Sequence, residues 1–123
     1  MYDLMIRGHF DAAHSLHGYP GECRNLHGHT WDVEVVVRGS ELDEVGIVYD
    51  FKTLKADLQA VLEPLDHAYL NDVPPFDRSN PTAENLSRHI FDLLSERVGP
   101  RVSVVEVAVW ESPVARITYR PGE

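Results

Sequence analysis

An alternating row of side chains at positions 26–38 constrains the fold of this chain more than any other feature. The odd positions are apolar apart from two histidines, whereas the even positions include threonine, aspartate, glutamate and arginine. Because successive side chains of a β-strand point to opposite faces, the pattern predicts a strand with one buried face. The buried row would contain His27, His29, Trp31, Val33, Val35 and Val37.

Two histidines begin that buried row, separated by one glycine. Side chains at i and i+2 of a strand project from one face, about 6.5–7 Å apart along the backbone, so both imidazoles can converge on one ion. Buried polar groups need partners, and a metal ion would satisfy both rings. The plainer interpretation is that His27 and His29 are ordinary surface or loop histidines, since the chain has seven histidines.

A third histidine lies upstream in A-A-H-S-L. His14 falls on a predicted strand within residues 2–14, whereas its competitor His17 falls in the following turn, so His14 is the preferred third ligand. Three imidazoles and an open position are typical of catalytic zinc. All-imidazole ligation favours zinc over copper or iron without excluding them.

Cys23, close to these histidines, has three interpretations. It is a small, partly buried apolar residue, a fourth ligand that closes a structural zinc site, or an acid/base whose thiol pKa a nearby cation lowers. Sequence spacing does not decide between a closed site and a catalyst.

The remaining periodicities predict the order ββααββ. A helical stripe begins near Lys52 and is stopped by a proline, and a second helix begins at Thr82, its predicted N-cap. Residues 102–111 and a segment ending near Tyr119 alternate as two further strands. This order predicts an α+β fold, an antiparallel sheet with two helices on one face.

Two acidic features have both a structural and a chemical interpretation. Asp66-His67 is either a pair at a helix C-terminus or a carboxylate that orients an imidazole for proton transfer. Glu111 continues the predicted inward row of Val105, Val107 and Val109, so it either ends a strand in solvent or accepts paired N–H groups from a guanidine-like heterocycle.

Composition bounds the class of protein. A length of 123 residues predicts a single domain, residues 1–123, and a net charge of −9 argues against a nucleic-acid surface. A single cysteine, with no signal-peptide pattern, predicts a cytoplasmic protein. No apolar run reaches membrane-spanning length, so no membrane partner is expected.

Five motifs in one order resemble the 6-pyruvoyltetrahydropterin synthase family. They are F-D-A-A-H, C-R-N-L-H-G-H, D-H-A-Y-L-N, P-T-A-E-N and a late W-E, and they cover essentially the whole chain. The short gap between Cys23 and His27 is similar to the bacterial 6-carboxytetrahydropterin synthase branch. The resemblance implies the tunnelling fold, in which ββααββ subunits form trimers that stack into hexamers with active sites between subunits.

The resemblance also implies roles for nine residues. Zinc would be bound by His14, His27 and His29, and protons would be moved by Cys23, Asp66 and His67. The pterin's amino-pyrimidine edge would be anchored by Glu111, with Thr82 beside the pocket and Glu84 in a recurrent motif at the second helix.

The substrate implied by the resemblance is 7,8-dihydroneopterin triphosphate, whose product feeds 7-deazapurine and queuosine synthesis. The triphosphate would be held by basic residues among Arg24, Lys52, Lys55 and Arg88. The alternatives are a pyruvoyl-forming synthase without carbon–carbon cleavage and a non-catalytic zinc-binding assembly protein, whose site is closed by the cysteine together with the three histidines. A zinc hydrolase is disfavoured, because the H-E-x-x-H motif is missing.

Overall fold

A five-stranded sheet in the order β3-β1-β2-β4-β5 forms the body of the molecule. The computed structural model describes residues 1–18 and 25–122. Its strands are β1 (Tyr2–His14), β2 (His27–Gly39), β3 (Ala68–Tyr69), β4 (Ser103–Ser112) and β5 (Ala115–Tyr119), and its helices are α1 (Phe51–Leu62) and α2 (Ala83–Arg97). The chain is therefore α+β, as predicted, with its two helices packed on the sheet.

The long β1–β2 pair sets the position of the core. The strands are antiparallel and pair residue by residue from Tyr2 opposite Gly39 to His14 opposite His27. On the core side Phe10 lies opposite Trp31; both rings are fully buried and stack with centroids 5.9 Å apart. The predicted alternation is confirmed, because the odd residues of β2 from Trp31 onward are buried.

Both helices begin at a residue whose side chain caps the first turn. Asp50 caps α1 by accepting a hydrogen bond from the backbone N–H of Lys52 at 2.8 Å. Thr82 caps α2 by accepting from the backbone N–H of Asn85 at 3.1 Å, which confirms its predicted position as N-cap. Pro64 lies in a short 3-10 turn directly after α1, consistent with its predicted stop.

Two local features depart from the sequence prediction. The sheet is mixed rather than wholly antiparallel, because the two-residue β3 runs parallel to β1 at Ala12 and Ala13. A strand this short has no periodicity to detect. In addition, the register between β2 and β4 shifts and leaves Val105 out of the ladder, so Val104 takes the buried position that was expected for Val105.

The opposite face of the sheet is polar and carries cross-strand ion pairs. Arg38 lies opposite Asp3 and donates to its carboxylate at 2.7 Å, and Arg7 pairs with Glu34. Within the described residues, neither helix combines the length and the apolar character that a membrane crossing requires.

Gly39, at the end of β2, is packed too closely for a side chain. A Cβ there would lie 2.7 Å from Val48 Cγ1 and 3.0 Å from Val102 Cγ1. We expect Gly39→Ala to lower the free energy of unfolding by about 1–3 kcal/mol, because overpacking moves both valines. Urea denaturation measures the change. Gly99→Ala is the matched control, since its Cβ meets nothing within 4 Å, and an equal loss in both variants would contradict the argument.

The stability of the protein should depend on pH through His89 on α2. Burial beside the Phe76 ring, 5.1 Å between centroids, lowers the pKa of His89 below its usual value near 6.5. The folded state therefore binds fewer protons than the unfolded state, so stability is highest above pH 6.5 and falls as the pH drops toward the lowered pKa. We expect His89→Gln to flatten this fall by at most about 1.4 kcal/mol per pH unit. Urea titrations in EDTA between about pH 5 and 8 measure it, and identical slopes would contradict it.

Candidate functional site

Three histidines meet where β1 ends and β2 begins. His14 is the last residue of β1 and pairs across the ladder with His27, the first residue of β2, and His29 follows on the same face. The ring centroids of His14 and His27 are 4.4 Å apart, those of His27 and His29 4.7 Å, and those of His14 and His29 5.2 Å. The strand register thus brings together the three predicted metal ligands.

Backbone carbonyls fix the tautomer of two rings. The Nδ1 of His14 lies 2.7 Å from the carbonyl oxygen of Pro81, and that of His27 lies 2.7 Å from the carbonyl oxygen of Asn25. A carbonyl only accepts, so each Nδ1 carries the proton and donates. In each neutral ring, Nε2 then carries no proton and presents a lone pair.

Those lone pairs point at one another, which requires a cation between them. The Nε2 atoms of His14 and His27 are 2.9 Å apart, and the Nε2 of His29 is buried without a hydrogen-bond partner among the described residues. One proton would satisfy two of these nitrogens and leave the third. A metal ion accepts all three, so the donor set fits the metal that was predicted from the sequence.

Glu111 completes the cluster as a fourth donor. Its Oε1 lies 3.5 Å from the Nε2 of His14 and 3.6 Å from that of His29, and the ligand atoms of all four residues lie within 4.8 Å of one another. The alternating pattern predicted an inward position for Glu111 but did not indicate that it adjoins the histidines. This His/Glu group could bind a metal ion.

Burial favours the neutral, metal-binding form of His14 and His29. It lowers the pKa of His14, as do the neighbouring His27 and His29, against the opposing effects of the Pro81 hydrogen bond and of Glu111. Burial also lowers the pKa of His29. Metal ligands must be neutral imidazoles, so both shifts favour metal binding near neutral pH.

Asp66 and His67 form a separate group with Asp11. The Nδ1 of His67 lies 3.1 Å from Asp66 Oδ2, and Asp66 Oδ1 accepts from the backbone N–H of Asp11 at 3.0 Å. That bond, together with His67, lowers the pKa of the Asp66 carboxyl. His67 has φ of 56°, in the left-handed region, and its N–H donates to the Asp11 carbonyl at 2.6 Å. Sequence reasoning missed Asp11, because no local pattern marks its contact with a residue so distant in the chain.

The Asp66–His67 pair belongs to the other side of the sheet from the histidines. Asp11 alternates with Phe10 and Ala12, and its carboxylate accepts from the Thr30 hydroxyl at 2.6 Å on the polar face. Asp66 also lines a cavity of about 420 Å³ that His14, His27 and His29 do not line. Lys55, a predicted phosphate-binding residue, lies in that cavity with Asp66.

Of the remaining predicted site residues, only some can be placed beside the histidine cluster. Thr82 directly follows Pro81, whose carbonyl binds His14, so the N-terminus of α2 borders the cluster. Glu84 is exposed in the first turn of α2, and its carboxylate makes no hydrogen bond or ion pair with the described residues. Cys23 and Arg24 lie outside the described residues.

Comparisons with known proteins identify the relatives of this chain. Residues 3–122 match the family described as 6-pyruvoyl tetrahydropterin synthase. The chain is 41% identical to a 6-carboxy-5,6,7,8-tetrahydropterin synthase of Synechocystis, covering 80% of this chain and 78% of that one. It is 31% identical to the enzyme of that name from Haemophilus influenzae, covering 98% and 99%.

A solved structure gives the same result. The 6-pyruvoyl tetrahydropterin synthase of Caenorhabditis elegans superimposes with a TM-score of 0.88 at 31% identity, covering 98% of this chain and 96% of that one. The fold is therefore the tunnelling fold of these synthases. By its sequence and its structure, the chain belongs to the 6-pyruvoyl tetrahydropterin synthase family.

Proposed function

We propose that this chain is a zinc-dependent 6-carboxytetrahydropterin synthase that acts in 7-deazapurine and queuosine synthesis. It converts 7,8-dihydroneopterin triphosphate and one water into 6-carboxy-5,6,7,8-tetrahydropterin, acetaldehyde and triphosphate. The observation that carries the proposal is the convergence of three imidazoles and the Glu111 carboxylate at one point, with ligand atoms within 4.8 Å of one another. The names of the Synechocystis and Haemophilus relatives support the choice of product.

The three histidines would hold the metal and Glu111 would hold the pterin. Bound zinc acts as a Lewis acid that makes C–H protons next to the substrate's side-chain hydroxyls more acidic. The Glu111 side chain is 34% exposed, so it can accept N–H donors from the pterin while it faces the histidines. Thr82 and Glu84 would line the pterin side, because α2 begins beside the Pro81–His14 hydrogen bond.

Proton transfer would be carried by Cys23 and by the Asp66–His67 pair. Because the pKa of Asp66 is lowered, its carboxylate is ionised at neutral pH and holds the proton of His67 at Nδ1, 3.1 Å away. The Nε2 of His67 then remains free to take a proton from the substrate or return one. The His67 side chain is 79% exposed, so a substrate can reach it.

We also propose that active sites are shared between copies of the chain, in trimers that stack into hexamers. The Asp66–His67 pair and the histidine cluster lie on opposite sides of one sheet, so one copy cannot readily present both groups to one substrate. Within the described residues, β3 covers the outer edge of β1 only at Ala12 and Ala13, and β5 is paired on one side only. Such open edges favour strand pairing between subunits.

Product analysis tests the reaction. Zinc-loaded protein incubated with 7,8-dihydroneopterin triphosphate should release acetaldehyde and triphosphate in equal amounts and form 6-carboxytetrahydropterin, measured by chromatography and mass spectrometry. Accumulation of the 6-pyruvoyl product without acetaldehyde would contradict the proposal and favour the activity named for the Caenorhabditis elegans structure.

Two variants serve as controls for that experiment. His27→Ala should lose bound zinc, because it removes one of the converging nitrogens. Cys23→Ala should keep zinc and lose at least about 100-fold in turnover, as expected for removal of an acid/base. If Cys23→Ala instead releases the zinc, the closed, non-catalytic site is correct.

Complementation tests the shared site. His29→Ala and His67→Ala should each be inactive alone, since one lacks a metal ligand and the other the proton-transfer imidazole. Co-expression should restore about a quarter of wild-type activity, because random mixing leaves that fraction of sites with both groups intact. Mixed oligomers no more active than either parent would show that each copy builds its own site.

A further inference from the structure

Two asparagines hold the backbone that follows His14. Asn71 accepts from the backbone N–H of Ser15 at 2.9 Å and donates from Nδ2 to the Ser15 carbonyl at 2.9 Å. Asn80 makes the same pair of bonds with His17, at 2.9 and 2.8 Å. Each side-chain amide therefore satisfies both backbone groups of one residue, as a neighbouring strand would.

These bonds begin where the sheet ends. His14 is the last residue of β1 that β2 pairs with, and β3 pairs only with Ala12 and Ala13. Asn71 takes up the ladder at Ser15, which is 8% exposed. Unpaired backbone groups at such a position would be costly, so the amide both satisfies the backbone and fixes its path.

The loop that carries Asn80 and Pro81 also orients the His14 ring. Asn80 directly precedes Pro81, whose carbonyl accepts the Nδ1 proton of His14. The carbonyl of Asn80 is in turn held by Asn85 Nδ2 at 2.8 Å and by the N–H of Thr82 at 2.9 Å. The main chain after His14 and the acceptor of its ring proton are thus fixed by connected hydrogen bonds.

We propose that Asn71 and Asn80 are positioning residues for the metal centre: they clamp the chain after His14 so that its Nε2 stays aligned with those of His27 and His29. The inference rests on the proposed metal site. It gives His17 a role as the backbone partner of Asn80 and not as a ligand. It also explains two motif asparagines, Asn71 directly and Asn85 through Asn80.

Amide-to-carboxylate variants test the clamp. Asn71→Asp and Asn80→Asp keep the acceptor but place a second carboxylate oxygen against the carbonyl of Ser15 or His17. Metal-free protein is titrated with Co²⁺, following its visible d–d absorption, and affinity is measured against a competing chelator. We expect affinity to fall about 10–100-fold, the range seen when outer groups that hold a metal ligand in place are lost, with an altered spectrum.

Gln59→Glu is the matched control, because it makes the same change on the exposed face of α1. It should bind Co²⁺ within about twofold of the wild type, as surface substitutions usually do little. Variants that melt earlier but keep wild-type affinity and spectrum would overturn the clamp as a positioning device. If Asn71→Asp fails to fold, Asn80→Asp, on the partly exposed loop, decides the question. Wild-type protein that binds no Co²⁺ would overturn the metal site itself.

Discussion

The hydrogen bonds from two histidine Nδ1 atoms to backbone carbonyls are the interaction on which the rest of the site depends. The carbonyls of Pro81 and Asn25 each force a proton onto Nδ1, and both Nε2 lone pairs are left facing one another at 2.9 Å. In water, two facing lone pairs would cost little free energy. In this partly buried cluster the two facing lone pairs repel each other, and a cation resolves that conflict at least cost. The chemistry of the site follows from how the fold creates that conflict.

The sheet creates this electrostatic conflict because β1 ends beside the point where β2 begins. Residue-by-residue pairing from Tyr2 to His14 places His14 and His27 opposite one another, and Trp31 supports the cluster from below, 4.9 Å from the His14 ring and 5.1 Å from the His29 ring. A slip of one residue would turn the histidines to the polar face. The same alternation carries Asp11 to that polar face and the Asp66–His67 pair with it. One register thus separates the metal cluster from the proton-transfer pair.

Local sequence patterns were sufficient to predict the repeating features of the structure. They were insufficient for the features that occur only once. The period-2 row of β2 and the caps at Thr82 and Asp50 are local signals, and the alternation of β2, the Thr82 cap and the layer arrangement follow from them. The bulge at Val105 depends on pairing with a distant strand, so alternation alone misplaced that residue. The two-residue β3 and the side-chain ladder at Ser15 have no periodicity. The proximity of Glu111 to the histidines likewise depends on how β4 sits against β2, which no single segment encodes.

The left-handed backbone of His67 has a consequence for protein engineering. A non-glycine residue at φ of 56° costs about 1 kcal/mol or more, and a glycine would adopt the same geometry without that cost. Selection for thermal tolerance alone would therefore favour removal of this imidazole. The backbone reversal between the 3-10 turn after α1 and β3 instead projects the ring into solvent, where an incoming molecule can meet it. Stability and the proposed proton transfer thus favour different residues at this position, and a stabilised variant of this chain should keep His67.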